Sequence, residues 1–207
     1  MDKITAMPKK SMTLITGFVS LVALMSFALK NEADFTKGTI HSAKKDSIES
    51  VKAFKDVYKV LMSPRCMNCH PAGDTPLQGD DSHPHSMLPQ RGKDGKGIYT
   101  MKCANCHQAT NLAGLNMPPG HPDWHLPPAD MKMVFEGKTP QELAKQLVNP
   151  NTNGNKTLKQ LLEHADDGLV KAGWNPGEGR TLPPISHAAF KKAWITWIEN
   201  GAFAPSK

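Results

Sequence analysis

The sequence predicts an all-α fold in which a few amphipathic helices are separated by long loops. Three observations lead there. Apolar residues recur at three- and four-residue steps in four separate stretches, which is the helical period. The 207-residue chain holds 17 Pro and 16 Gly, and many of these crowd between the periodic stretches, where they mark loops. All four cysteines fall inside two five-residue motifs, Cys66-Met67-Asn68-Cys69-His70 and Cys103-Ala104-Asn105-Cys106-His107.

The amino terminus has the order of parts of an export segment. Lys3, Lys9 and Lys10 form a basic head, an apolar run follows from Met12 to Leu29, and Lys30-Asn31-Glu32 ends it. Residues 1–30 are read as a signal peptide, with Ser26-Phe27-Ala28 as a small-x-small cleavage site, or as a retained membrane anchor. Cleavage is the favoured reading. Under either, the lysines precede the run and put the rest of the chain outside the cytoplasm. The expected location is the bacterial periplasm, either free or tethered to the outer face of the inner membrane. No cysteine follows the run to carry a lipid. Residues 31–45 are polar and read as a tether.

A first helix is expected from Asp46 or Ser47, with Ile48, Val51, Phe54, Tyr58 and Leu61 on one face and an end before Pro64. It delivers the chain into Cys66. Pro71, Gly73, Pro76, Gly79 and Pro84 make residues 71–92 a loop. A glycine turn and a short helix carrying Ile98 and Tyr99 are expected before Cys103. A second long loop covers 111–135. Thr139-Pro140-Gln141-Glu142 is a helix start with a cap, an early proline and a Glu at the third position, and Asn149-Pro150 stops that helix. A continuous helix is expected from about Thr157 to Lys171. Ser186 caps a last helix with Phe190, Trp194, Trp197 and Ile198, and residues after 203 should fray. Residues 46–203 form the expected domain.

The two cysteine motifs carry the chemistry. Each is a c-type haem attachment signature: two thiols three residues apart add to the two vinyl groups of one haem, and the next histidine reaches the iron. Paired CxxC also occurs in zinc ribbons and redox dithiols, but neither requires a histidine directly after each pair. The cofactors expected are therefore two covalently attached c-type haems, with thioethers at Cys66, Cys69, Cys103 and Cys106 and proximal iron ligands at His70 and His107. Candidate sixth ligands are His85 for the first haem and Met133 for the second. The rivals are His83 or Met87 for the first, and Met131, His125, His164 or His187 for the second. The motifs start only 37 positions apart, Cys66 to Cys103, too few for two independent cytochrome domains. One compact diheme cytochrome c-like unit with close haems is expected. Such haems would enlarge a thin core, since only 39% of residues are hydrophobic and 6% aromatic.

The formal net charge of +6 comes without an arginine cluster or aromatic-rich groove, so nucleic acid is not the expected partner. The lysines serve as a solvated surface or steer an acidic redox partner. No nucleophile–base constellation points to hydrolysis.

Beyond the motifs, several stretches resemble the small diheme cytochromes c known as isoquinoline 1-oxidoreductase cytochrome subunits. They are residues 63–74, Gln78-Gly79-Asp80-Asp81, Arg91-Gly92-Lys93-Asp94-Gly95, Trp124-His125-Leu126-Pro127-Pro128, Met133-Val134-Phe135 and residues 173–180. The resemblance covers roughly residues 50–203. It implies an exported electron carrier and, in some members, service to a molybdenum hydroxylase. The expected function is electron transfer between a redox enzyme and a respiratory acceptor, without substrate catalysis by this chain. The rivals are a diheme peroxidase or haem-based sensor with one open iron site, and a membrane-anchored structural subunit of an electron-transfer complex.

Overall fold

The computed structural model describes residues 44–206. The expected export segment and nearly all of the expected tether lie outside these residues. Residues 44–61 are helical (α1). The helix is already formed at 44, so Asp46 lies within it rather than at its start. Its buried stripe also differs from the expected one. It runs through Ser50, Phe54, Val57, Val60 and Leu61, whereas Ile48 is exposed. The shift follows from the partner: Phe54 meets Trp197 of the last helix, with ring centres 4.7 Å apart.

A short helix α2 (Pro64–Met67) holds the first cysteine of the first motif. The loop that follows contains an antiparallel hairpin, β1 (Leu77–Gln78) with β2 (His83–Pro84). A second hairpin, β3 (Gly97–Ile98) with β4 (Met101–Lys102), leads into a 3₁₀ turn at Cys103–Asn105. The expected short helix before Cys103 is thus a hairpin, and Tyr99 at its tip is 94% exposed rather than turned inward. Gly97 explains the difference. It takes φ +85° where the strand turns, and a Cβ there would lie 2.4 Å from the Met101 carbonyl oxygen; such a position favours a turn over a helix.

The remaining elements are α3 (Pro140–Val148), α4 (Leu158–His164), α5 (Gly168–Ala172) and α6 (His187–Glu199). Thr139 and Glu142 form a reciprocal capping box at α3, and Thr157 with Gln160 forms another at α4. The helix expected over 157–171 is broken into two. Asp167 has extended-type backbone and stands at the N-cap of α5. The Asp166-Asp167-Gly168 run carries weak helix formers, so the interruption costs little.

Asp46–Lys207 clusters as one unit. Its core is built from α1, Phe135, Leu143 and Leu147 of α3, Leu161 of α4, and Phe190, Trp194, Trp197 and Ile198 of α6. Polar bonds pin the aromatic layer. Trp194 Nε1 donates to the Leu161 carbonyl at 2.6 Å and Trp174 Nε1 to the Ile185 carbonyl at 2.8 Å. Buried Ser50 donates to the Trp197 carbonyl and accepts from Phe203 N–H, while Trp197 Nε1 donates to the Phe203 carbonyl. These bonds correct the expected frayed tail: Ala202 and Ala204 pack on the core, and Pro205 is buried. Among the described residues no helix is long and apolar enough to cross a membrane.

Candidate haem-binding site

Both cysteine motifs open onto one cavity of about 1520 Å³. A single small-molecule pocket is typically about 300–1,000 Å³, so this space suits more than one ordinary ligand. Its walls include all four cysteines, His70, His107 and the core aromatics Phe190 and Trp194. The two motifs approach each other closely enough that Cys103 adds to the rise in the Cys69 pKa.

The histidines of the two motifs have the same setting. His70 Nδ1 lies 2.7 Å from the Met133 carbonyl oxygen, and the Phe135 ring stacks on the imidazole at 3.8 Å and 8°. His107 Nδ1 lies 2.7 Å from the Pro119 carbonyl oxygen, and the Trp124 ring stacks on it at 4.1 Å and 8°. A carbonyl oxygen only accepts, so Nδ1 carries the proton in each case. Nε2 then keeps its lone pair, which is the form that ligates a metal. Burial also favours the neutral ring, pushing the His70 pKa down to about 4 and the His107 pKa in the same direction.

Different parts of the chain build the two settings. For the first, Phe135 N–H and Glu136 N–H both donate to the His70 carbonyl, and Glu136 accepts from Ala72 N–H. This fastens residues 133–136 behind the first motif. For the second, the chain doubles back within 13 residues. Gly120 passes so close to residues 108–110 that a Cβ there would lie 2.1 Å from the Thr110 carbonyl oxygen. Gly120 N–H donates to Asn111 Oδ1 at 2.8 Å, next to the Pro119 carbonyl used by His107.

Trp124 is held in place by a clamp. Arg91 is 1% exposed. It donates to the Pro127 carbonyl at 2.6 Å, the Gly73 carbonyl at 3.0 Å and Asp74 Oδ1 at 3.3 Å. Leu126 N–H donates to the Gly95 carbonyl, and a Cβ on Gly95 would stand 1.8 Å from the Leu126 carbonyl oxygen. The Arg91–Gly95 stretch is therefore a seat for Trp124–Pro128. The 173–180 stretch works similarly on the other side. The Asn175 carbonyl accepts from Asn111, Arg180 donates to the Asn116 carbonyl, and Asn116 N–H donates to the Glu178 carbonyl. Asp80 ties this segment to the first motif by accepting from Arg65 and from Thr181 N–H.

Three of the thiols, Cys66, Cys69 and Cys103, are poor nucleophiles in this setting. Burial pushes Cys66 up to about 12 and Cys69 to about 11, and it raises Cys103 as well. A redox dithiol needs an attacking thiol with a pKa near ambient pH. Among the described residues, no three His, Cys, Asp or Glu side chains gather into a metal-holding group, so the cysteine pairs do not merge into one tetrahedral site.

Three buried polar atoms on the cavity wall have no protein partner: Arg65 Nε, Asn68 Oδ1 and His85 Nδ1. Buried polar groups in native proteins are nearly always bonded, so these atoms fit a cavity filled by a group with polar substituents. The paired thiols, the free Nε2 positions and the apolar back wall fit haem attached at each motif.

The other expected ligands are distributed differently from the expectation. His85 stands at the second motif, with its ring centre 6.3 Å from that of His107. Met133 lies at the first motif, where its carbonyl serves His70 and its side chain packs against the core. His85, expected at the first haem, thus lies beside His107, and the Met133 backbone, expected near the second, lies beside His70. The 71–92 loop folds back toward residues 103–107. Among the rivals, His83 has both ring nitrogens engaged, by Asp81 and Gln78. His187 bonds the Ala165 carbonyl and packs edge-on against Trp174. His125, His164, Met87 and Met131 face the cavity, and His164 Nδ1 is held by Asp167. The stacking rings Phe135 and Trp124, the carbonyls of Met133 and Pro119, and the Arg91 clamp were not among the expected site residues. Arg91, Trp124, Met133 and Phe135 do fall in the stretches that carried the resemblance, but the sequence assigned no role to the Arg91 side chain or to either ring.

No family model, curated protein or solved structure matches the chain.

Proposed function

We propose that the chain is an exported diheme c-type cytochrome that moves electrons between a redox enzyme and a respiratory acceptor. A molybdenum hydroxylase is the proposed donor class. The observation that carries the reading is the repeated histidine setting: two CxxCH motifs, each with Nδ1 held by a carbonyl and one ring face covered by an aromatic, on the wall of one cavity. When bound, each haem iron supplies a one-electron couple.

The chain's own residues do the rest. Cys66, Cys69, Cys103 and Cys106 hold the groups covalently, and His70 and His107 present Nε2. The Met133 and Pro119 carbonyls fix each imidazole's tautomer and raise its basicity as a ligand. Phe135 and Trp124 limit ring rotation. The opening of both motifs onto one cavity favours transfer between the two centres. Exposed Leu112, Leu115 and Met117 lie in the loop after the second motif, an apolar surface of the kind redox partners dock on.

The test is maturation of the full chain in a bacterial host with a c-type cytochrome assembly system. Intact mass and the pyridine haemochrome spectrum are expected to give two haems per chain, each lost when its own cysteine pair is changed to alanine. Reversible one-electron titration at both centres without turnover on peroxide is expected. A chain that binds zinc instead, or one that consumes peroxide catalytically, overturns the reading.

A further inference from the structure

We propose that His85 and His107 are the two axial ligands of the second haem, so that the loop following the first attachment motif supplies the sixth ligand of the second centre. The inference deepens the diheme reading and rests on it.

Geometry carries it. With metal–nitrogen bonds of about 2 Å and a nitrogen about 1 Å from its ring centre, two imidazoles on opposite sides of one iron have ring centres about 6 Å apart. The His85 and His107 ring centres are 6.3 Å apart, with planes inclined at 68°. Inclined rings also touch edge to face at about 4.5–7 Å; the comparable pair here, Trp174 with His187 at 76°, stands at 5.0 Å, closer than His85 and His107. The 6.3 Å separation leaves room for an atom between the imidazoles.

The surroundings of each ring agree. His107 has Nδ1 committed to Pro119 and one face covered by Trp124, which leaves Nε2 for the cavity. His85 lines the same cavity, and its buried Nδ1 has no partner in the protein. Its backbone is fixed at both ends: His85 N–H donates to the Pro76 carbonyl at 2.9 Å, and Leu88 N–H donates to the His85 carbonyl at 2.7 Å. The neighbouring His83 is held away by Asp81 and Gln78, so the β1–β2 hairpin presents one histidine of the pair and retains the other. Among the described residues, no ring contact pairs His70 with a second imidazole. Such an imidazole pair stands at the second motif, and the same hairpin that closes the first motif's loop would complete the second centre.

The experiment uses the mature full chain, with haem stoichiometry fixed first by intact mass. Low-temperature EPR and near-infrared magnetic circular dichroism then read the ligands of each ferric centre. Trp124→Phe alters the ring stacked on His107 and marks the second haem's signals; Phe135→Leu marks the first's. The wild type is expected to show a bis-histidine charge-transfer band for the Trp124-sensitive centre. His85→Ala is expected to convert that centre alone from low-spin to high-spin, removing half of the total low-spin signal, and added imidazole is expected to restore it. His85→Met keeps a ligand in place and is expected to raise that centre's reduction potential, as methionine does relative to histidine. The assignment is overturned if two haems are attached but His85→Ala leaves the Trp124-sensitive signal low-spin, or converts the Phe135-sensitive one. A chain that matures without covalent haem overturns the diheme reading, and the ligand assignment with it.

Discussion

Replacing Arg91 with methionine tests whether the second motif's aromatic support is held by a single buried cation. Methionine keeps an unbranched apolar stem and removes the guanidinium. Three bonds are lost, to Pro127, Gly73 and Asp74. They do not count equally. Asp74 is half-exposed and keeps Lys132 at 2.9 Å, and Gly73 is exposed, so water replaces those partners. The Pro127 carbonyl lies deeper and is left unmet, at about 1–3 kcal/mol. Loss of the charge-assisted bonds adds to this, while relief of the guanidinium's own burial subtracts. The net expected destabilisation is about 3 kcal/mol, or a fall in Tm of about 6–12 °C for a domain of this size. Chemical denaturation measures the stability. Hydrogen exchange read by mass spectrometry locates the change. Peptides covering 124–128 should lose protection, because the Leu126–Gly95 bond loosens, while α6 peptides exchange as in the wild type. A loss below about 1 kcal/mol, or exchange that rises equally in α6, would refute the assignment of Arg91 as the local clamp.

Three further outcomes follow from other contacts. Ser50→Ala leaves the Trp197 carbonyl with its bond from Ala202 N–H but strips Phe203 N–H of its partner; a loss of about 1–3 kcal/mol in urea unfolding is expected, and no change would mean that the carboxy-terminal segment is not anchored through α1. Gly120→Ala drives a Cβ into the Thr110 carbonyl and is expected to displace Pro119 from His107; intact mass should show a drop in two-haem product with the single-haem form rising, and full two-haem yield with an unchanged spectrum would count against it. The Asp74 carboxyl is held below the ordinary carboxylate range, first by its hydrogen bond from Lys132 and then by Arg91. A depressed carboxyl stabilises the fold above the ordinary value of about 3.9 and loses that contribution as pH falls through the folded value. Wild type should therefore exceed Asp74→Asn in denaturation midpoint at pH 7 and pH 5, and the gap should narrow steadily as pH falls below the ordinary carboxylate value. A gap that does not narrow as the medium is acidified would assign the effect to something other than the carboxylate charge.

The two CxxCH motifs were legible in the sequence because they depend on local spacing. Two thiols three residues apart and an adjacent histidine are fixed by covalent geometry, whatever the rest of the chain does. The helix starts at Thr139 and Ser186 were legible for the same reason, since a cap acts within one turn. Helix interiors were read less well. The stripe on α1 was misjudged by about one residue because Ser50 is buried through a bond to α6, 147 residues away, and polarity alone argues for solvent. The hairpin before Cys103 was read as a helix because glycine marks a turn without saying which structure follows it.

The site beyond the motifs was decided by contacts between distant segments. The sequence by itself determined where the two CxxCH motifs stand, where the main capped helices begin and where the long loops lie. Only the tertiary structure decided that Met133 backs His70 across 63 residues, that Arg91 seats the Trp124 loop, and that His85 faces His107 rather than His70. The physical reason is the loop composition. Proline and glycine remove the helical or strand period from which facing residues are inferred. The path of residues 71–135 is therefore set by bonds such as Leu126–Gly95 and Phe135–His70, whose partners share no local pattern.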